Sequence, residues 1–385
     1  MFSTWADATK LAAKLVLPGP AVSRSRARST VNLIAAAQEP AYQLAANLTG
    51  LPAPILQDVK VTSVDRPGWI KALGETLETF VAATNAAQSD SDASALGSPL
   101  RVLAVSATMN ALATRLYGHY DPISRQIFAV APNIYAAERA SRLDSIDFRC
   151  WVVLRSALYA LQFEAAPWLV DYLQDQIDAV LQGARAHSLA DLSLPGLLQA
   201  LRNVDLAPED APQAPPVPPS TLGRVRGPRG YTLTLPETAE GEVAANDPSP
   251  VAPGAVEKPG KPAVAEADPG EALAKLARLA GLMDAYQRVA LEDIQPLHLP
   301  SIAQIRIHTA LAPSPTALLI RTWGRALGLA PVRFNAAQAR RFLRYIKQQG
   351  GKGLLNLIFV SPENLPTSAE LADPNLWISR VQGRI

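Results

Sequence analysis

Apolar positions recur near helical spacing along most of the chain. Phe2, Trp5, Leu11, Ala12 and Leu15 form such a stripe and predict an amphipathic helix over 2–17, stopped by Pro18-Gly19-Pro20. Its polar face is not strongly basic, which favours docking on the protein's own core over a membrane surface. Similar periodicity predicts helices at 27–48, 67–89, 98–117, 136–160, 164–184 and 190–203, and later at 271–291, 301–311, 314–328, 335–349 and 368–381. The apolar run Arg125–Pro132 sits between turn signals and reads as a strand, and the Ser, Asp, Ala and Gly residues of Gln88–Ser98 read as a loop. No repeat of solenoid type is present.

The pattern breaks at 206–270, which is rich in Pro, Ala, Glu and Gly and poor in large apolar residues. Such a segment cannot bury enough surface to offset its ordering entropy, so a flexible insertion is expected, with Gly230–Leu235 alternating as an edge strand would. The expected fold class is mostly α, an α+β fold with a few short strands. Its parts are 1–205, an N-terminal helical part, then 206–270, and then 271–385, a C-terminal helical part completing the same core.

Composition narrows the function. The chain has 385 residues, 48% of them hydrophobic and 18% charged, in keeping with a globular protein with a sizeable core. Lys and Arg number 36 against 34 Asp and Glu, which leaves no basic footprint for nucleic acid. The lone Cys150 excludes an internal disulfide and a Cys-rich metal site, and its apolar surroundings predict a buried structural thiol. Lys10 and Lys14 interrupt the N-terminal apolar stretch, unlike a signal peptide, and no window is long and apolar enough for a membrane span. A cytoplasmic protein is expected.

The segment Trp151–Leu169 contains Gln162-Phe163 and Pro167-Trp168-Leu169. Here the chain resembles the zincin-like metallopeptidases, a family of candidate hydrolases also associated with deazaflavin-coenzyme biosynthesis, in which H-E-x-x-H on a helix precedes Q-F and P-W-L. The resemblance extends to Leu17–Ser23, Thr49-Gly50-Leu51, Val64–Ile70, Gly118–Pro122, Val130–Ile134, Ser361–Thr367, Glu370-Leu371, Asp373-Pro374 and Trp377–Val381. It implies a zincin-like helical architecture. In the family, two histidines one helical turn apart hold zinc, and the glutamate beside the first polarises the attacking water. Those positions are Arg155, Ser156 and Tyr159 here: a cation, a serine with no base, and a phenol. The family's E-G-H element in the later half aligns with Met283-Asp284-Ala285, and its Q-Y element with Asn335-Ala336 after Leu327-Gly328-Leu329.

The resemblance with those ligands missing implies a catalytically inactive homologue, a pseudo-peptidase. No cofactor is expected, zinc is not expected, and the former cleft, with Arg155, Tyr159, Gln162, Glu164 and Asp284, would bind a peptide or protein partner. Two alternatives stand beside it: a non-metal hydrolase reusing Ser156, Tyr159 or the nearby carboxylates, and a scaffolding protein. His119, His187, His298 and His308 form no pair at metal-ligand spacing and read as surface or capping residues. Ser156 lacks a G-x-S-x-G elbow. Glu164 with Asp171 or Asp175, and Glu138 with Asp144 and Asp147, suit paired carboxylates or a solvated helix face. Gly350-Gly351-Lys352-Gly353 lacks the spacing of a nucleotide loop and reads as a helix end and turn. Arg155 either reaches solvent or supplies the lost positive charge by pairing with Asp284 or, second, Glu164.

Overall fold

The structure is a computed structural model that describes residues 4–86, 99–186, 268–309 and 334–383. Helices predicted at 190–203 and 314–328, the edge strand, the loop at 88–98 and nearly all of 206–270 lie outside these residues.

The helices start where short polar side chains can satisfy their free N–H groups. Thr4 and Asp7 form a reciprocal capping box at α1 (Trp5–Leu15), and Ser23 caps α2 (Arg24–Ala36). α3 (Gln38–Thr49) follows after the single residue Ala37, so the helix expected over 27–48 is two. It ends at Gly50, whose φ of 72° is left-handed. After β1 (Lys60–Val64) come α4 (Arg66–Ala86), α5 (Pro99–Ala113), β2 (Gly118–Asp121), β3 (Gln126–Val130) and α6 (Ala131–Ser141). Asp144 caps the 21-residue α7 (Ser145–Ala165), and α8 (Trp168–Ala186) starts just past Pro167.

Asp268 caps α9 (Pro269–Leu291), which begins two residues before the expected 271. α10 (Ile302–Thr309) and α11 (Ala336–Asn356) follow. Within α11, Gly350 and Gly351 leave helical geometry, and Gly351 has φ 64° and ψ −158°, a conformation reserved for glycine. The glycine cluster is thus a break inside a helix. The last predicted helix also divides, at Asp373-Pro374, into α12 (Ser368–Ala372) and α13 (Pro374–Gln382).

The fold is mostly helical with one three-stranded sheet of order β1-β3-β2. The strand read from the sequence is the central one. β3 pairs in parallel with β1 (Lys60 opposite Gln126) and antiparallel with β2 (Asp121 opposite Gln126). In the β2–β3 turn the Asp121 carboxylate accepts from the backbone of Ile123 and Ser124, and Arg125 takes φ 53°.

Helix α7 is the axis of the larger core. Every residue from Asp147 to Gln162 is buried except Arg155, which is partly so. A helix apolar nearly all round must be covered on all sides. α2, α3, α6, α9 and the β2–β3 hairpin pack on it, so residues from before and after 206–270 enter one hydrophobic cluster. A second cluster joins α1, α4 and α5 to β3 around Trp5, Trp69, Met109 and Val130.

Candidate functional site

The stretch Leu154–Phe163 is helical throughout, so Arg155 and Tyr159 stand one turn apart on one face of α7. The Arg155 guanidinium lies 5.7 Å from the centre of the Trp151 ring, one turn back. Ser156 points elsewhere. Its Oγ donates to the Val152 carbonyl at 3.1 Å and the residue is 3% exposed, the arrangement of a satisfied helix serine.

Opposite α7 runs α9. Arg155 Nη2 lies 3.6 Å from Asp284 Oδ1, and Arg288 Nε lies 2.8 Å from Asp284 Oδ2. One buried carboxylate therefore forms an ion pair with each of two guanidinium groups: Arg288 Nε donates to Oδ2, whereas Oδ1, facing Arg155, accepts no hydrogen bond among the described residues. Asp284 raises the Arg288 pKa above the ordinary arginine value against the opposing effect of burial, and Tyr159 adds in the same direction. Gln162, fully buried, donates through Nε2 to the carbonyls of Leu158 and Met283 at 3.1 and 3.4 Å. Its Oε1, and both amide atoms of the fully buried Gln287, have no hydrogen-bond partner among the described residues. Arg288 and Gln287 are the participants the sequence reading missed. The i,i+4 spacing of Asp284 and Arg288 was a legible signal for the first, whereas a single glutamine carries none.

Glu164 does not join this cluster. It accepts from Tyr120 Oη and from Arg125 Nε and Nη2, the latter two at 3.0 and 2.5 Å, tying the end of α7 to the β2–β3 hairpin. The other flagged carboxylates divide as well. Glu138 receives Arg149 bidentately at 2.6 and 2.6 Å, Asp144 caps α7, and Asp147 Oδ2 accepts from the Ser301 backbone at 2.6 Å. Burial raises the Glu138 pKa against the pull of Arg149. Burial, with Asp147 adding to it, pushes the Cys150 thiol up to about 11, as befits an inert core thiol.

The histidines correct the sequence reading in part. His298 caps the backbone N–H of Gln295, as expected. His119 is a packing residue instead: its Nδ1 accepts from the Trp69 indole at 2.7 Å and its ring stacks on Phe128. His308 bridges the Tyr117 hydroxyl at 2.9 Å and the Ser141 hydroxyl at 2.8 Å. His187 lies outside the described residues.

These side chains do not fit the zinc ion that the H-E-x-x-H pattern implies. At the ligand positions the resemblance implies stand a permanent cation and a buried phenol, and the carboxylate facing them is already paired with Arg155 and Arg288. A dication placed there would meet two positive charges and one negative. Among the described residues no three His, Cys, Asp or Glu side chains group as metal ligands would.

The motifs shared outside α7 are structural joints. Arg66 donates to the Leu17 and Pro18 carbonyls at 2.9 and 2.9 Å and to Asn133 Oδ1 at 2.8 Å, uniting three of them. Near the C-terminus Arg380 binds Glu370 and the Glu363 and Leu365 carbonyls, while Trp377 donates to the Asn364 carbonyl at 2.7 Å. Beside this second joint lies an open cavity of about 360 Å³. Leu279, Leu282, Leu371 and Phe334 contribute apolar walls, and Lys275 and Arg278 contribute two cations. Arg155, Tyr159, Gln162 and Asp284 do not line it.

A family model described as zincin-like metallopeptidase matches residues 4–378. Among solved structures the chain is similar to the crystal structure of a candidate hydrolase with a novel fold from Chloroflexus aurantiacus. The identity is 19%, the TM-score 0.59, and the match covers 98% of each chain, a likeness of fold. No curated protein matches the chain.

Proposed function

This chain belongs to the zincin-like metallopeptidase family, and we propose that it serves there as a peptide-binding member without zinc-dependent peptidase chemistry. The observation that carries the reading is the Arg155–Asp284–Arg288 cluster where the family pattern calls for a metal and its water. A guanidinium does not ligate a metal, and in the family pattern Ser156 takes the place of the glutamate that would polarise the water. The satisfied, buried Ser156 speaks against a serine nucleophile in its place.

The space for a ligand lies one helix face away, in the cavity between α8, α9 and the Pro362–Leu371 segment. Its apolar walls suit aliphatic or aromatic peptide side chains, and Lys275 and Arg278 suit a carboxylate, either an acidic side chain or a chain end.

A synthetic peptide library incubated with the purified protein tests both halves, with cleavage and retention read by mass spectrometry, with and without added zinc. The expected result is retention of uncleaved peptides carrying a carboxylate next to apolar residues, reduced by Lys275→Gln with Arg278→Gln. Chelator-sensitive cleavage would overturn the absence of zinc chemistry, and failure to retain any peptide would overturn the binding role.

A further inference from the structure

A second cavity, of about 440 Å³, lies on another part of the molecule, between α2, α6 and the start of α7. Four arginines line it: Arg26 from α2, Arg139 and Arg142 from α6 and its end, and Arg149 from α7. Tyr135 and Ser145 add hydroxyls. One carboxylate, Glu138, lines the same space, and Arg149 holds it bidentately. Asp144 lies close by but is committed to the cap of α7.

Three observations separate this cavity from an ordinary solvated basic surface. Arg149 is 5% exposed, and its Nη1 has no acceptor among the described residues after Nε and Nη2 are spent on Glu138. A buried charged donor left over in this way calls for an acceptor the protein does not supply. Arg26, Arg139 and Arg142 make no ion pair among the described residues, so their charge is uncompensated. Tyr135 gathers two of them: Arg26 Nη1 donates to its hydroxyl at 3.3 Å, and the Arg139 guanidinium lies 5.9 Å from the centre of its ring. Holding cations together costs electrostatic energy, which a bound anion would return.

We propose that this cavity is an oxyanion site for a phosphate group, taken either as free phosphate or as the end of a phosphomonoester. Guanidinium forks match the oxygens of a phosphate bidentately, and hydroxyls donate to the oxygens that remain. The volume leaves room beyond the phosphate for the start of an organic group. The site shares no residue with the Arg155 cluster or the peptide cavity, so it stands apart from the function proposed above.

Titration calorimetry on the full chain, at constant ionic strength set with chloride, tests the proposal with inorganic phosphate and a sugar phosphomonoester as probes. The expected result is saturable binding, weakened at least about tenfold by Arg139→Gln with Arg142→Gln, two exposed positions whose replacement leaves the core intact. A monoester that binds about tenfold tighter than phosphate assigns an organic ligand, and equal affinities assign free phosphate. Binding of neither probe above the chloride background would overturn the site. So would binding that the double substitution leaves unchanged.

Discussion

Arg155 on α7 and Asp284 on α9 face each other at 3.6 Å, and Arg288 donates to the other oxygen of the same carboxylate at 2.8 Å. On the proposed reading, fixed side-chain cations stand where the family pattern implies a dication, and the acidic group that faces them is paired with them.

The energetics of the cluster are unequal for the two partners. Asp284→Ala leaves two partly buried guanidinium groups without the carboxylate they share and is expected to cost about 3 kcal/mol. Arg155→Ala leaves Asp284 still held by Arg288, so the expected loss is smaller, about 1–2 kcal/mol. Urea denaturation of the two variants measures the difference. Equal losses would mean that Arg288 does not share the carboxylate.

Restoring the family pattern on α7 alone is not expected to restore a zinc site. With Arg155→His, Ser156→Glu and Tyr159→His combined, Asp284 remains engaged by Arg288, and no further ligand stands in the α9 segment Leu282–Gln287. Metal analysis of the purified triple variant after dialysis is expected to find well under one zinc per chain. Stoichiometric zinc would show that the cavity had kept the rest of its ligands.

His119 gives the fold a pH dependence. Its enclosure by Trp69 and Phe128 pushes its pKa from 6.5 down to about 4, burial outweighing the opposing charge of Asp121. As pH falls below 6.5, the unfolded chain takes up this proton first. The contribution is present in full above that value and is lost as pH falls towards about 4, up to about 3 kcal/mol in all. His119→Gln keeps an acceptor for the Trp69 indole and removes the titration. Denaturation curves between pH 6.5 and pH 5 are expected to fall for the native protein and to flatten for the variant.

Gly281 couples the α9 backbone to the proposed peptide cavity. A Cβ built there lies 2.1 Å from a Phe334 ring carbon, so Gly281→Ala must displace that ring from the cavity wall. The expected cost is about 1–3 kcal/mol despite alanine's better helix propensity. Peptide retention is expected to fall with it. Thermal unfolding together with the retention assay checks both.

Local chemistry was legible in the sequence. Periodicity located α1, α4, α5, α8 and α9, because a buried stripe has to recur at the period of its own backbone, and a short apolar run between turn signals located the central strand β3. The substitution of Arg155, Ser156 and Tyr159 at the metal positions could be read directly, and so could the reasons a guanidinium and a phenol make poor ligands. Hidden were the edges and the breaks. β1 and β2 are five and four residues long and owe their existence to hydrogen bonds with β3. The single-residue joint at Ala37 and the split at Asp373-Pro374 divide helices without interrupting their apolar stripes.

The choice among carboxylates belonged to the tertiary structure. Glu164 is nearer to Arg155 in sequence, yet the β2–β3 turn brings Arg125 and Tyr120 to it, and the packing of α9 on α7 brings Asp284 to Arg155 instead. The same holds for the arginine-lined cavity: its residues recur at helical spacing on α2 and α6, but only the packing of three helices turns those faces towards one space. Sequence by itself determines which residues can carry charge, cap a helix or ligate a metal, since those are properties of single side chains and their near neighbours. Which charge meets which depends on how whole helices pack, and that is set by the burial of apolar faces far from the charges themselves.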